Sequence, residues 1–119
     1  MDMESLKGKA VGVFEYDNQV ACYVALDAAS KSADVRIQSV ERNRLRSGAC
    51  VKLRGDVSSV RAAMEAAIQA GSRYGKLVSS TVIASPTTDT ETALSMTVNK
   101  WAGACRRLLS LRHDGGFYP

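Results

Sequence analysis

The chain is poor in aromatic side chains: one Trp, four Tyr and two Phe account for 6% of its 119 residues. Its core must rest on Ala, Val, Leu and Ile, whose small side chains allow close backbone approach and thin, flat packing. Histidine is nearly absent, and the single one, His113, has no partner in the pattern and carries no role. Cys22, Cys50 and Cys105 are an odd number of thiols, far apart and without a C-x-x-C pair, which argues against zinc and against a disulfide framework. A reducing cytoplasm suits such thiols. No apolar run approaches the roughly 18–20 residues of a membrane span. The first residues, Met1-Asp2-Met3-Glu4-Ser5-Leu6, are acidic and lack the apolar stretch of a signal peptide. There is no G-x-x-x-x-G-K-[ST], no G-x-G-x-x-G after a strand, no Ser/His/Asp grouping and no paired-carboxylate site. The reading is a non-enzyme with no cofactor, no metal and no membrane association.

What is present is ordinary in bulk. Apolar content of 45% and charged content of 24% fit one globular domain with one modest core. A net charge of +4 is mild and suits anionic small molecules as well as nucleic acid. Arg106, Arg107 and Arg112 could serve nucleic acid, but there is no helix-turn-helix pattern and no interleaving of aromatics, so that reading is set aside.

The order of segments is more informative. Ala10 to Tyr16 reads as a strand, and Asp17-Asn18 as a turn and cap. Gln19 to Lys31 reads as a helix with Val20, Val24 and Ala28 on one face and Tyr23 beside them. Val35 to Val40 alternates with period two, as a half-buried strand does. The basic stretch Arg42-Asn43-Arg44-Leu45-Arg46-Ser47-Gly48 follows, and then a strand from Ala49 to Leu53. Asp56 is placed to cap a second helix, whose face is Val60, Met64, Ala67 and Ile68 and whose end lies near Gly71 or Gly75. Leu77 to Ile83 is a last strand. The order β-α-β-β-α-β is that of a ferredoxin-like split βαβ sandwich in the α/β (α+β) class: a four-stranded antiparallel sheet with two helices on one face. Arg54-Gly55-Asp56 is read as the strand-to-helix turn of this order, not as an adhesion motif.

After Pro86 the character changes. Thr88-Asp89-Thr90-Glu91 has the T-x-x-E capping-box pattern. Leu94, Val98, Trp101, Cys105 and Leu108 then recur at heptad-like spacing, and Gly115-Gly116 stops the segment. This predicts a C-terminal helix of about 25 residues, roughly 37 Å long. The expected division is a domain over 8–86 and a helical extension over 87–119. The seam Leu94, Val98, Trp101, Leu108 either covers the chain's own assembly or captures a partner helix.

Ala10-Val11-Gly12-Val13-Phe14-Glu15 is similar to the first strand of the bacterial microcompartment shell proteins, the small hexamer-forming class. Leu26 to Val35 resembles the end of their first helix, with a lysine ahead of the second strand. Ser47-Gly48 and Arg54 to Val60 resemble their pore-loop and second-helix signatures, and Gly75 to Ile83 their last strand. The match runs through about two-thirds of the chain in the ordinary, unpermuted order. Three departures stand out. Ser85 occupies a position where the family often has a basic residue, the loop is one residue longer and far more basic, and the tail is long.

The resemblance implies a homohexamer that tiles into a cytoplasmic shell around encapsulated enzymes, beside other shell proteins, with a central pore for metabolites. It implies that Arg44, Leu45, Arg46, Ser47 and Gly48 line the pore and that Lys31 and Asp34 lie at the hexamer edge. On a six-fold axis each arginine becomes six. Two unit charges 8 Å apart interact by about 2 kcal/mol at an effective dielectric near 20. Such a ring attracts small anionic metabolites and opposes its own assembly, so Arg44 or Arg46, not both, is expected at the narrowest point. Two other readings stay open: a small oligomeric regulator binding a phosphorylated ligand at the basic loop, and an electron-transfer variant with a cluster at Cys50.

Overall fold

In the computed structural model, residues 6–42 and 47–95 are described. The elements follow as β1 (Ala10–Tyr16), α1 (Gln19–Ser32), β2 (Arg36–Arg42), β3 (Ala49–Gly55), α2 (Val57–Gly71) and β4 (Leu77–Ile83). Every strand pair is antiparallel, and the sheet order is β2-β3-β1-β4. The first and last strands therefore lie side by side, as the split βαβ order requires. The chain divides into two units after Thr87, and in the second the structure describes a helix over residues 88–95. No described helix is long and apolar enough to cross a membrane.

Local chemistry explains the boundaries. Asn18 has an extended backbone, and its side-chain oxygen accepts from the Ala21 amide at 2.9 Å, which caps α1. At the other end Lys31 places a cation beside the free carbonyls of the last turn. Asp56 occupies the N-cap of α2, but its carboxylate makes no cap hydrogen bond; it pairs with the Lys9 ammonium at 3.2 Å instead. The cap expected from the sequence is thus present in position and absent in bonding. Likewise Thr88 is the first helical residue of the segment 88–95, so Thr88 and Glu91 fall inside its first turn.

Both helices pack on one face of the sheet. Phe14 and Tyr16 from β1 and Ala49, Val51 and Leu53 from β3 form the core with Ala21, Cys22, Ala25 and Ala29 of α1 and Val60, Ala63, Met64 and Ala67 of α2. A Cβ at Gly12 would lie 2.8–2.9 Å from Met64 and Val60, so the sheet and α2 meet there without room for a side chain. The buried stripe of α1 is therefore its alanines. Val20 is 60% and Tyr23 53% exposed, which reverses the expected face. Val20 and Tyr23 point outward, while Leu26 is partly buried against the same core. β2 differs too: it is an edge strand with an irregularity between Ile37 and Ser39, and Ile37 and Val40 are exposed.

The other sheet face is polar yet closed. Lys52 bonds Glu41 Oε1 at 2.8 Å, and the same oxygen accepts from Ser39 at 3.1 Å. Arg54, 1% exposed, donates to Gln38 Oε1 and to the Lys9 carbonyl, both at 2.9 Å. The bonds of Lys52 and of the Arg54 Nη atoms offset much of the cost of burying these charges.

Candidate functional site

The basic stretch between β2 and β3 is the candidate site. Arg44, Leu45 and Arg46 lie outside the described residues, whereas both flanks are placed. Before the stretch, Arg42 closes β2, and with its amide turned to match its donors Gln19 accepts from Arg42 Nε at 2.9 Å and Nη2 at 3.0 Å. After it, the Ser47 hydroxyl donates to the Asp17 carbonyl at 3.0 Å. Gly48 follows immediately, and a Cβ there would run into the carbonyl oxygen of Tyr16. Both flanks are thus tied to the same short turn between β1 and α1.

That turn is itself held from a third side. Asp17 makes two bonds to the segment before β4: its amide donates to the Lys76 carbonyl at 3.1 Å, and its side-chain Oδ1 accepts from the Lys76 amide at 2.9 Å. Asn18 adds a 2.9 Å bond to the same oxygen and a 3.1 Å bond to the Tyr74 carbonyl. The Lys76 amide is the main reason the Asp17 carboxyl lies below its usual range; the Asn18 amide acts in the same direction, and desolvation opposes both.

Lys31 and Asp34 stand at the opposite end of the domain. The 14 residues of α1 separate them from the Asp17 turn, about 20 Å at 1.5 Å per residue. Lys31 pairs with Asp27 at 2.7 Å and stays largely exposed. Asp34 is exposed, 3.9 Å from Arg36, and its carbonyl lies near Gly55 at the far end of β3. The ends of α1 and β3 therefore define two poles, with Ser47 and Gly48 at one and Lys31 and Asp34 at the other.

Cys50 is half-buried on the closed polar face, and its thiol is pushed up to about 11, by burial first and by the Glu41 charge second. No group of three His, Cys, Asp or Glu suited to a metal ion occurs among the described residues. Of the expected partner seam, Leu94 lies on the helix of residues 88–95, and Val98, Trp101 and Leu108 lie outside the described residues. Sequence reasoning missed the Gln19–Arg42 and Asp17–Lys76 ties. The second joins positions 59 residues apart and has no local signal.

Residues 10–86 match the BMC domain family model. The chain belongs to the BMC domain family. Its BMC domain is 38% identical over 84 residues to the bacterial microcompartment shell protein EutM of Salmonella typhimurium, covering 70% of this chain and 85% of that protein. EutM of Escherichia coli K12 matches equally, at 38% over 84 residues, 70% of this chain and 84% of that one. The shell protein EutK of Salmonella typhimurium is 35% identical over 85 residues, covering 69% of this chain and 49% of EutK. This BMC chain thus aligns with about half the length of EutK. A solved microcompartments protein from Desulfitobacterium hafniense DCB superposes with a TM-score of 0.62 at 32% identity, over 66% of this chain and 44% of that one.

Proposed function

We propose that this BMC domain protein is a structural shell component of a bacterial microcompartment, acting by assembly and not by catalysis. Six copies form a ring with the segment Arg44 to Gly48 at the axis and Lys31 and Asp34 at the rim. Rings meet one another and other shell proteins at that rim, inside the cytoplasm, and small anionic metabolites cross at the basic centre. Residues 8–86 form the tile, and the extension over 87–119 presents Leu94, Val98, Trp101 and Leu108 to the ring itself or to an encapsulated enzyme.

The observation that carries this reading is the two-pole arrangement of a BMC domain. The flanks of the basic stretch, Arg42 and Ser47, and Lys31 lie at opposite ends of α1, so one end can face an axis while the other faces a neighbouring ring. The edge strands support it as well. β2 and β4 run in opposite directions at the two flanks of the sheet, so a neighbour related by rotation sets its β2 antiparallel beside β4, in a heterologous interface that can close.

Negative-stain imaging of the full chain tests the ring and its tiling. Hexagonal particles joined into sheets or tubes are expected; dimers or trimers that bind a phosphorylated ligand stoichiometrically would overturn the reading. Reconstituted sheets should pass small anions faster than cations at low salt, and the difference should shrink as salt shortens the screening length.

A further inference from the structure

Most cations of the described residues are already engaged. Lys9 pairs with Asp56, Lys31 with Asp27, Arg36 with Asp34 and Lys52 with Glu41, while Arg42 and Arg54 are held by hydrogen bonds. Arg73 and Lys76 differ. Both are exposed, and neither side chain forms an ion pair or hydrogen bond with another described residue. The Asp17 carboxylate feels the Lys76 charge, but its Oδ1 is taken by the Lys76 amide and the Asn18 side chain.

The turn that carries Arg73 and Lys76 is fixed at each end. After α2, the Ser72 and Tyr74 amides bond back to the Ile68 and Gly71 carbonyls at 3.1 and 2.9 Å, and the Ser72 hydroxyl shares a 2.9 Å bond with the buried Tyr16. Before β4, Lys76 is bonded to Asp17 through both its backbone groups, and Gly75 lies so close to Asp17, Asn18 and Ala21 that a Cβ would not fit. Ser47 donates to the carbonyl of the same Asp17. A single residue therefore separates this turn from the flank of the basic stretch.

We propose that Arg73 and Lys76 form a recognition site for a dianionic oxyanion, the phosphate group of a small molecule, at the same pole as the basic stretch. The guanidinium offers a planar fork to two oxygens and the ammonium a compact charge to a third. A fixed turn presents both without the cost of ordering a loop. A monocarboxylate engages one of the two cations and a phosphate engages both, so the turn discriminates between anions by their charge. Its part in solute passage rests on the reading of this pole as the centre of a ring; the binding itself belongs to one protomer.

Calorimetric titration of the full chain with inorganic pyrophosphate at low salt tests this, with size-exclusion chromatography of the same samples. Arg73→Gln and Lys76→Gln should each weaken pyrophosphate binding by about fivefold or more, the loss of one charge-assisted contact. Arg61→Gln removes an exposed cation about 15 Å along α2 from Gly71 and should change the affinity by less than about twofold. Acetate should bind the parent far more weakly than pyrophosphate. A parent that does not bind pyrophosphate, unchanged affinity in Arg73→Gln and Lys76→Gln, or an equal loss in Arg61→Gln would overturn the proposal. Chromatography keeps the two readings apart. Loss of binding in a chain that forms no ring retains the site and removes its role in passage, whereas a ring with unchanged affinity retains the ring and removes the site.

Discussion

Removing one partner of the Lys52–Glu41 pair should cost far more than removing both. The two side chains are 9% and 17% exposed and 2.8 Å apart, and Ser39 donates to the same carboxylate oxygen. Lys52→Met leaves Glu41 with the Ser39 hydroxyl, and Glu41→Leu leaves an ammonium on the closed face. Breaking a buried pair typically costs about 3–5 kcal/mol; the residual exposure places each single change near the lower end, at about 2–3 kcal/mol. Independent sites would sum to roughly 5 kcal/mol in the double variant. The physical argument says otherwise: without either charge there is no desolvation penalty to offset, so the double variant should lie within about 1 kcal/mol of the parent. Urea unfolding at one fixed protomer concentration reads this directly. With m of about 1.5 kcal/mol/M, each single variant should lose roughly 1.5–2 M in midpoint, and the double under 1 M. A double variant as unstable as the sum of the singles would refute the idea that these two charges support one another.

Four further expectations follow from the flanks of the basic stretch, the rim and the thiols. Gly48→Ala forces the start of β3 off the Tyr16 carbonyl and should destabilise by about 2–3 kcal/mol; a midpoint equal to the parent would contradict the close approach. Asp17 has a lowered folded pKa, so its contribution is present above the ordinary value of 3.8 and fades only as pH falls through the lower folded value. A carboxyl NMR titration should therefore give a midpoint below 3.8, and one at or above it would sink the Lys76 tie. Lys31→Glu sets a like charge beside Asp27 and, on the proposed ring, at its rim; it should leave particle size intact and abolish association between particles, both visible by imaging. In a Cys105→Ala background neither Cys22 nor Cys50 should react with a thiol reagent at pH 8, since a pKa near 11 leaves about 0.1% thiolate at Cys50; two thiols should appear on unfolding.

Periodicity carried the fold because element order is local information. Four strands and two helices were legible from Ala10 to Ile83, with ends within two residues of those observed. The inner face of α1 was not. Apolar period pointed to Val20, Val24 and Ala28, whereas burial follows Ala21, Ala25 and Ala29. A hydrophobicity pattern ranks Val above Ala; it does not register which side of the helix lies against the sheet. Arg54 failed for the converse reason. A charged residue before Gly55 reads as turn, and only the pairing with Val11 and the bonds to Gln38 and Lys9 place it inside the sheet. At the candidate site the sequence showed the charges of the basic stretch but not its fastenings, because Gln19, Asp17 and Lys76 converge from separate elements.

Those fastenings have an evolutionary consequence. Among the described residues Arg42 bonds Gln19 at the start of α1 and Ser47 bonds the Asp17 carbonyl, and neither bond draws on the packed alanine layer under α1. A substitution at positions 43–46 removes none of these bonds, so Gln19, Asp17 and Gly48 keep the socket. A change of charge within the stretch can therefore be accepted without disturbing the bonds that hold its flanks, so the two properties, charge and anchorage, can be inherited separately.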